Sequence, residues 1–224
     1  DVEVIALLWR ILSDLNLPTL TLEINNLGYT ADRDTYRPHL VSYLKQQESG
    51  LCANCRHRID ANPLRVLDCK VPECRAITET APRLGDSLSE AARSYFTQVL
   101  TGLDAIKIPY LLNHRLVRGL DYYNLTTFEV TATNLGAQNA VGAGGRYDQL
   151  VETLGGPPTP AVGFAIGLER MAMLLPESTT GRAPEDLAIY VAGFGEHGTV
   201  AGLTALEELR LAGLRAVSDF RSTT

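Results

Sequence analysis

The chain has 224 residues, of which 45% are hydrophobic and 21% are charged, and its formal net charge is −6. This length is enough for one sizeable hydrophobic core and part of a second. No apolar run approaches the roughly 18 residues that a membrane span needs, so no membrane role is indicated. The negative charge argues against indiscriminate nucleic-acid binding, but it leaves room for a local basic face that meets one particular RNA. The first residues lack the basic start of a signal peptide, so we expect a cytoplasmic protein.

The chain opens with a helix and a strand. Apolar residues recur at helical spacing within residues 4–15, with Asp1 able to cap the start and Pro18 marking the end. Residues 20–24 alternate like a strand with one buried face, and Gly28 follows as a turn.

A helical insertion is predicted next. The alternation disappears over residues 30–107, where helical stretches near residues 33–47 and 87–104 flank a cysteine-rich connector. Short strands bounded by glycine, asparagine or proline then resume at residues 110–113, 126–132, 140–144 and 161–167. We therefore expect residues 1–29 and 108–178 to form an antiparallel sheet with helices beside it, an α+β fold.

A second domain is predicted at residues 185–224, after a linker at residues 176–184 that carries proline, glycine, serine and threonine. An apolar strand at residues 187–192, a helix at 199–212 and a strand at 214–217 predict a βαβ unit. Such a unit needs a larger parallel sheet to cover its faces, and the chain ends before one is completed.

Four cysteines form one candidate site. Cys52 and Cys55 are separated by two residues, Cys69 and Cys74 by four, and thirteen residues lie between the pairs. In a cytoplasmic chain, paired thiolates at short spacing suit a tetrahedral Zn²⁺ site better than disulfides. The second spacing is looser than the usual two residues, and the alternative is four unliganded cysteines, some buried as small hydrophobes.

A second candidate site lies in two stretches dense in arginine, tyrosine and glycine, residues 116–124 and 142–148. Arg118 and Arg146 offer planar, permanently charged forks suited to phosphate or carboxylate. Rigid ring walls with hydroxyl tips come from three tyrosines, Tyr122, Tyr123 and Tyr147. The two stretches therefore indicate a preformed site for an anionic, nucleotide-like ligand.

Some residues in these stretches have open alternatives. Tyr122 and Tyr123 are consecutive, so in a strand only one would face the site unless the backbone bulges, and either is otherwise a core tyrosine. Asp121 and Asp148 would orient neighbouring arginines or sit in turns, and we do not count them as catalytic.

The order of these stretches, followed by Gly167-Leu-Glu-Arg170, resembles the C-terminal half of the catalytic domain of the histidyl-tRNA synthetases. The first stretch is similar to their histidine-specific signature, the second to its glycine-rich companion, and residues 167–170 to motif 3 of class II synthetases. This resemblance implies activation of histidine by ATP with Mg²⁺ to histidyl-adenylate, transfer of histidine to the 3′ end of tRNA(His), and a homodimer. It also implies that residues 185–224 begin an anticodon-binding domain.

The resemblance implies specific roles on the ATP side. Arg118 matches the arginine that contacts the ATP α-phosphate and assists adenylation where other class II enzymes use a metal. Arg170 matches the motif 3 arginine that contacts the γ-phosphate, and its alternative is an exposed arginine in the first turn of a helix. Gly144 and Gly145 would border the adenylate, with turn glycines as the alternative.

On the histidine side, Tyr123 and Tyr147 match the tyrosines that form the histidine pocket, with Tyr122 beside them. Leu125 stands where the family more commonly has arginine, which puts any tRNA or substrate contact there in doubt. Motifs 1 and 2 of the family would lie upstream of Asp1, so we expect this chain alone to be inactive. The alternative function is a non-catalytic, histidine-sensing regulatory subunit of ATP phosphoribosyltransferase, which needs neither the phosphate-directed arginines nor an anticodon domain.

Overall fold

The computed structural model describes residues 1–17, 19–119, 122–133, 135, 139–175 and 189–218. Pro18, Asp121 and the predicted linker at residues 176–184 lie outside these residues. The chain divides into two compact units, Asp1–Leu175 and Pro176–Thr224. Within the described ranges, no helix is long and apolar enough to cross a bilayer.

The first unit contains a five-stranded sheet in the order β2-β1-β3-β4-β5. Its strands are β1 (Leu20–Asn26), β2 (Leu111–Leu112), β3 (Asn124–Ala132), β4 (Ala140–Arg146) and β5 (Val162–Ile166). The predicted antiparallel sheet with helices beside it is confirmed, except that β1 and β2 are parallel. A parallel pair needs a long crossover connection, and here the helices between β1 and β2 provide it.

The register gives the sheet one apolar and one polar face. Ile24 pairs with Phe128, Phe128 with Gly144, and Gly144 with Phe164, so these residues line up across four strands. One residue away, Glu23 pairs with Glu129. Because neighbouring residues in a strand point to opposite faces, both glutamates lie on the face away from the apolar core.

Three helices cover the apolar face: α1 (Val2–Asp14), α6 (Glu90–Ala105) and α8 (Leu168–Leu174). From α1, Ile5, Leu8 and Leu12 are fully buried in this first apolar cluster, as the helical periodicity predicted. Ile11 instead lies on the exposed side of the helix, with 37% of its surface accessible. Asp1 occupies the N-cap position of α1 but makes no side-chain capping hydrogen bond, so the predicted cap is wrong.

A second apolar cluster lies among the helices between β1 and β2. It is formed mainly by α2 (Thr30–Gln46), α3 (Ala53–Ala61), α4 (Leu64–Leu67) and α5 (Pro72–Glu79). Two of the cysteines, Cys55 and Cys74, are fully buried in it. α6 belongs to the same stretch of sequence but packs against the first cluster, and the boundaries of a separate insertion at residues 30–107 stay a prediction.

The second unit contains β6 (Ile189–Val191), α9 (Gly195–Leu211) and β7 (Ala216–Ser218). β6 and β7 are parallel neighbours, with Tyr190 opposite Val217. The predicted βαβ unit is therefore confirmed. In the first unit, the short helix α7 (Leu150–Thr153) lies between β4 and β5.

Candidate functional site

Three tyrosines meet where β3 begins and β4 ends. The ring centroids of Tyr122 and Tyr123 are 4.6 Å apart, and the ring of Tyr147 lies 5.8 Å from the first and 6.0 Å from the second. Both Tyr122 and Tyr123 thus join one cluster, because they precede the strand and strand alternation does not apply to them. A register shift between Asn124 and Thr127 follows at once, with Leu125 at a φ of 48°.

Leu125 is 2% exposed, and its backbone exchanges hydrogen bonds with the segment after β1. Its N–H donates to the carbonyl of Gly28 at 2.9 Å, and its carbonyl accepts from the N–H of Leu27 at 2.7 Å. A buried side chain has no surface to offer to RNA. The Leu125 side chain therefore packs inside the protein at the start of β3.

Two glycines leave room for the tyrosine rings. A Cβ placed on Gly145 would lie 2.8 Å from both the Thr126 carbonyl oxygen and Cδ1 of Tyr123, and one on Gly163 would lie 2.7 Å from the Tyr147 hydroxyl. Gly144 faces the core instead, where its Cβ would be 2.7 Å from the Phe128 ring. Gly144 and Gly145 both lie inside β4, so the alternative of turn glycines is wrong.

Arg118 lies beside this cluster. Its Nη1 donates to Oε2 of Glu129 at 3.2 Å, and the centre of its guanidinium is 5.4 Å from the centroid of the Tyr123 ring. Its Nε is buried and has no hydrogen-bond partner among the described residues. Burial raises the pKa of Glu129, and the Arg118 charge opposes that rise. Arg118 is therefore held on one side by Glu129, and 21% of its side chain stays exposed.

Arg146, which the sequence offered as a second fork for a ligand, is used by the protein itself. Its Nε and Nη2 donate to Oδ1 of Asp1 at 3.0 and 2.7 Å, and its Nη1 donates to Asp148 at 2.8 Å. Tyr95 adds a hydrogen bond to Asp1 at 3.0 Å, and the Asp1 side chain is 1% exposed. The fork that the sequence offered for phosphate or carboxylate is thus occupied by two carboxylates of the protein itself.

Asp148 orients the neighbouring Arg146, as one of its predicted roles required, and it also connects the two tyrosine-bearing stretches. Its carboxylate accepts from Arg146, from the Asn124 amide at 3.2 Å and from the backbone N–H of Ala161 at 3.0 Å. The Asp148 N–H donates in return to Asn124 Oδ1 at 3.1 Å. Because Asn124 follows Tyr123 and Asp148 follows Tyr147, this reciprocal pair fixes the spacing of the two rings.

Arg170 lies in the first turn of α8, as predicted. It is half-buried, and its Nη1 donates to the Ala140 carbonyl at the start of β4 at 2.8 Å. The helix N-terminus next to it carries a partial positive charge, which favours an anion nearby. Its contact with a phosphate stays a prediction.

Two cavities flank the ion pair of Arg118 and Glu129. The first, of about 250 Å³, lies over the polar sheet face and is lined by Glu23 and Glu129 on one side and by Cys69, Arg75 and Arg115 on the other. The second, of about 310 Å³, is lined by Arg118 and Tyr123 together with residues of α2, α3 and the segment after α3.

The four cysteines converge. All are free thiols, and their Sγ atoms lie within 4.8 Å of one another. A tetrahedral Zn²⁺ with Zn–S bonds of about 2.3 Å needs sulfur atoms about 3.8 Å apart, which small side-chain rotations would reach here. The Cys52 N–H already donates to Sγ of Cys74 at 3.1 Å. A backbone hydrogen bond at Cys55 lowers the pKa of Cys52 to about 7, whereas burial raises that of Cys55 and Cys74.

Three polar residues of the site were missed from the sequence. Glu129 lies in the middle of a predicted strand, and only its alternation with apolar neighbours signals a polar face. Asn124 is part of the quoted motif but was given no role. Asp1 was interpreted as a helix cap, and nothing local in the sequence indicates a partner as distant as Arg146.

The mixed sheet with helices packed against its apolar face matches the catalytic-domain fold of the class II aminoacyl-tRNA synthetases. A family model described as Histidyl-tRNA synthetase matches residues 1–171. The chain therefore belongs to the histidyl-tRNA synthetase family.

Individual relatives agree with this assignment. The chain is 46% identical to "Histidine--tRNA ligase" of Anaeromyxobacter dehalogenans over 99% of this chain and 53% of that protein. It is 47% identical to the protein of the same name from Synechococcus sp. (strain JA-3-3Ab), over 95% and 51%. The crystal structure of apo S. aureus histidyl-tRNA synthetase is similar with a TM-score of 0.63 at 32% identity, over 100% of this chain and 55% of that one. The chain spans about half the length of the curated relatives it matches.

Proposed function

We propose that the full-length protein is a histidine–tRNA ligase, which forms histidyl-adenylate from histidine and ATP with release of pyrophosphate. It then transfers histidine to the 3′ end of tRNA(His) with release of AMP. The observation that carries this proposal is Arg118, paired with Glu129 and lying over the Tyr123 ring, in a chain of the histidyl-tRNA synthetase family. A fixed cation beside hydroxyl-bearing rings suits the joining of a carboxylate to a phosphate.

Arg118 would act on the charge of the transition state. When a carboxylate oxygen of histidine attacks the α-phosphorus of MgATP, the oxygens of that phosphate share the negative charge of the transition state. A guanidinium already held by Glu129 stabilises that charge without having to reorganise. The exposed part of the Arg118 side chain, 21% of its surface, supports this role because it remains open to a phosphate while Glu129 holds the guanidinium.

The tyrosine cluster would select histidine. Neutral imidazole carries one donor and one acceptor nitrogen, and a tyrosine hydroxyl is able to meet either. Burial raises the pKa of Tyr122, so its hydroxyl keeps its proton at neutral pH. On the other side of the reaction, Arg170 in the first turn of α8 would contact the γ-phosphate, and the backbone at Gly144 and Gly145 would border the adenylate.

The alternative of a histidine-sensing regulatory subunit is less well supported. Such a protein has no use for an arginine directed at the ATP phosphates, and the ion pair that holds Arg118 beside the tyrosine rings supports the ligase instead. The βαβ unit formed by β6, α9 and β7 also suits the start of an anticodon-binding domain. Homodimer formation and a cytoplasmic location stay predictions from the sequence.

We further propose that the four cysteines hold a structural Zn²⁺. Four thiols whose sulfurs lie within 4.8 Å of one another fit a tetrahedral ion. The N–H of Cys52 pointing at Sγ of Cys74 supports this, since backbone donors commonly stabilise metal-bound thiolates. The metal would supply cross-linking alone, because all four tetrahedral positions are taken by protein sulfurs.

The proposed reaction is tested by histidine-dependent pyrophosphate exchange in the full-length protein. Tyr123→Phe and Tyr147→Phe should each weaken histidine binding by about 1–3 kcal/mol, because each leaves one buried partner of the imidazole unpaired. Tyr190→Phe is the matched control, since Tyr190 is 59% exposed and belongs to the second unit. Unchanged histidine affinity in both cluster variants would remove the tyrosines from the pocket.

A further inference from the structure

We infer that Arg115 is a positioning residue for adenylation, which ties the segment that carries Arg118 to the four-cysteine centre. This inference rests on the proposed function, because it assigns Arg118 the role given above. According to this inference, full activity requires metal bound at the four cysteines, although the cysteines take no part in the chemistry.

The first link is a hydrogen bond between two segments far apart in sequence. Nε and Nη2 of Arg115 both donate to the carbonyl oxygen of Leu67, each at 3.2 Å. Leu67 ends α4 and is 4% exposed, and Cys69 follows it in a turn closed by the hydrogen bond from Cys69 N–H to the Val66 carbonyl at 3.1 Å. Anything that moves Cys69 therefore moves the acceptor of Arg115.

Val117 and Gly119 make two further contacts with the helices between β1 and β2. Val117 is 5% exposed and packs into the second apolar cluster, which also contains Cys55 and Cys74. At Gly119 an added Cβ would lie 3.0 Å from Nη1 of Arg65, so the α4 guanidinium lies directly against this backbone. Arg115 and Gly119 thus lie against α4, and Val117 packs into the apolar cluster that holds Cys55 and Cys74.

The residues in between face the sheet. The Leu116 carbonyl accepts from the Asn25 amide of β1 at 3.0 Å, and Arg118 reaches Glu129 of β3. The segment is therefore held between two supports, because Arg115 donates to the Leu67 carbonyl of α4 while Arg118 pairs with Glu129 of β3. If the support at the cysteines loosens, the Arg118 guanidinium loses its fixed position over the Tyr123 ring.

Because Arg118 is proposed to act in the transition state, its displacement should change the kinetics in a specific way. An arginine that stabilises the charge of the transition state affects kcat more than the Michaelis constant for histidine. A misplacement of about 1 Å at such a group lowers the rate by up to about 100-fold. A merely structural role for Arg115 would lower the melting temperature without this division between kcat and KM.

The experiment compares Arg115→Met, Arg115→Lys and the exposed control Arg10→Met in the full-length protein, each with its metal and after removal of the metal by a chelator. Zinc per chain, the melting temperature and the kcat and histidine KM of pyrophosphate exchange are measured. We expect Arg115→Met to keep its zinc while kcat falls roughly 10- to 100-fold and histidine KM changes less than about twofold. Arg115→Lys should retain part of the rate, because an ammonium still donates one bond to the Leu67 carbonyl.

Metal removal separates the inference from its alternatives. Chelation should lower kcat in the parent and in Arg10→Met, but add little in Arg115→Met, since the link is already broken. Equal losses on chelation in the parent and in Arg115→Met, normal kcat in Arg115→Met, or a parent without zinc would each overturn the inference while leaving the ligase function intact. A zinc-loaded parent without histidine-dependent exchange would overturn the ligase function and the inference with it.

Discussion

Replacing Gly163 with alanine should displace Tyr147, one tyrosine of the proposed histidine pocket, without unfolding the protein. The added Cβ would lie 2.7 Å from the Tyr147 hydroxyl, whereas ordinary van der Waals contact begins near 3.4 Å. The hydroxyl must therefore move by roughly 0.7 Å, which is larger than the roughly 0.5 Å within which a binding site has to hold its groups. Because this hydroxyl is the free end of a side chain and Gly163 is a regular residue of β5, the backbone need not change.

The expected result is a specific loss of histidine binding. Loss of the proposed hydrogen bond between Tyr147 and the imidazole should cost about 1–3 kcal/mol of binding free energy. This corresponds to a histidine KM that is roughly 5- to 150-fold higher. The free energy of unfolding should change by less than about 1 kcal/mol, and the KM for ATP should stay close to that of the parent. Pyrophosphate exchange with histidine varied, followed by urea unfolding of the same preparation, measures both in the full-length protein.

Two comparisons isolate the cause. Gly85→Ala is the matched control, because nothing lies within 4 Å of its added Cβ. Adding Gly163→Ala to Tyr147→Phe should raise the histidine KM little further, since the hydroxyl it displaces is already gone. A Gly163→Ala enzyme with the parent's histidine KM would refute the placement of the Tyr147 hydroxyl in the pocket.

Three other substitutions test neighbouring parts of the site. Gly145→Ala should lower the free energy of unfolding by about 1–3 kcal/mol in urea titration, because its Cβ meets the Thr126 carbonyl oxygen at 2.8 Å and backbone does not give way as a side chain does. A stability equal to the parent's would contradict that contact. Asp148→Asn should lower stability by about 1–3 kcal/mol in the same titration and also raise the histidine KM, since it removes the ion pair with Arg146 and weakens the acceptor of the Asn124 amide, which helps to space the two rings. A stability loss with normal KM would limit Asp148 to folding. Arg118→Lys should lower the kcat of pyrophosphate exchange far more than it raises the histidine KM, because one ammonium does not replace the fork, and near-normal exchange would remove Arg118 from the chemistry.

The candidate site was partly predictable from the sequence. The two motif stretches placed Arg118, Tyr123 and Tyr147 correctly at one location, because each stretch follows or precedes a recognisable strand. The close approach of the four cysteines followed from their paired spacing. The function of Arg146 did not follow, because an arginine looks the same in sequence whether its charge is neutralised by a ligand or by Asp1.

The sequence by itself determined the elements of this protein. Periodicities of 2 and 3.6 residues arise between near neighbours, so α1, β1, β3 and the βαβ unit were predictable from local patterns. Only the tertiary structure decided which elements meet. The parallel pairing of β1 with β2, the ion pair of Arg118 with Glu129 and the bond from Arg115 to Leu67 join segments that local patterning does not relate. Such pairings depend on the packing of the whole unit, because a buried charge or donor takes whichever partner the fold brings within reach.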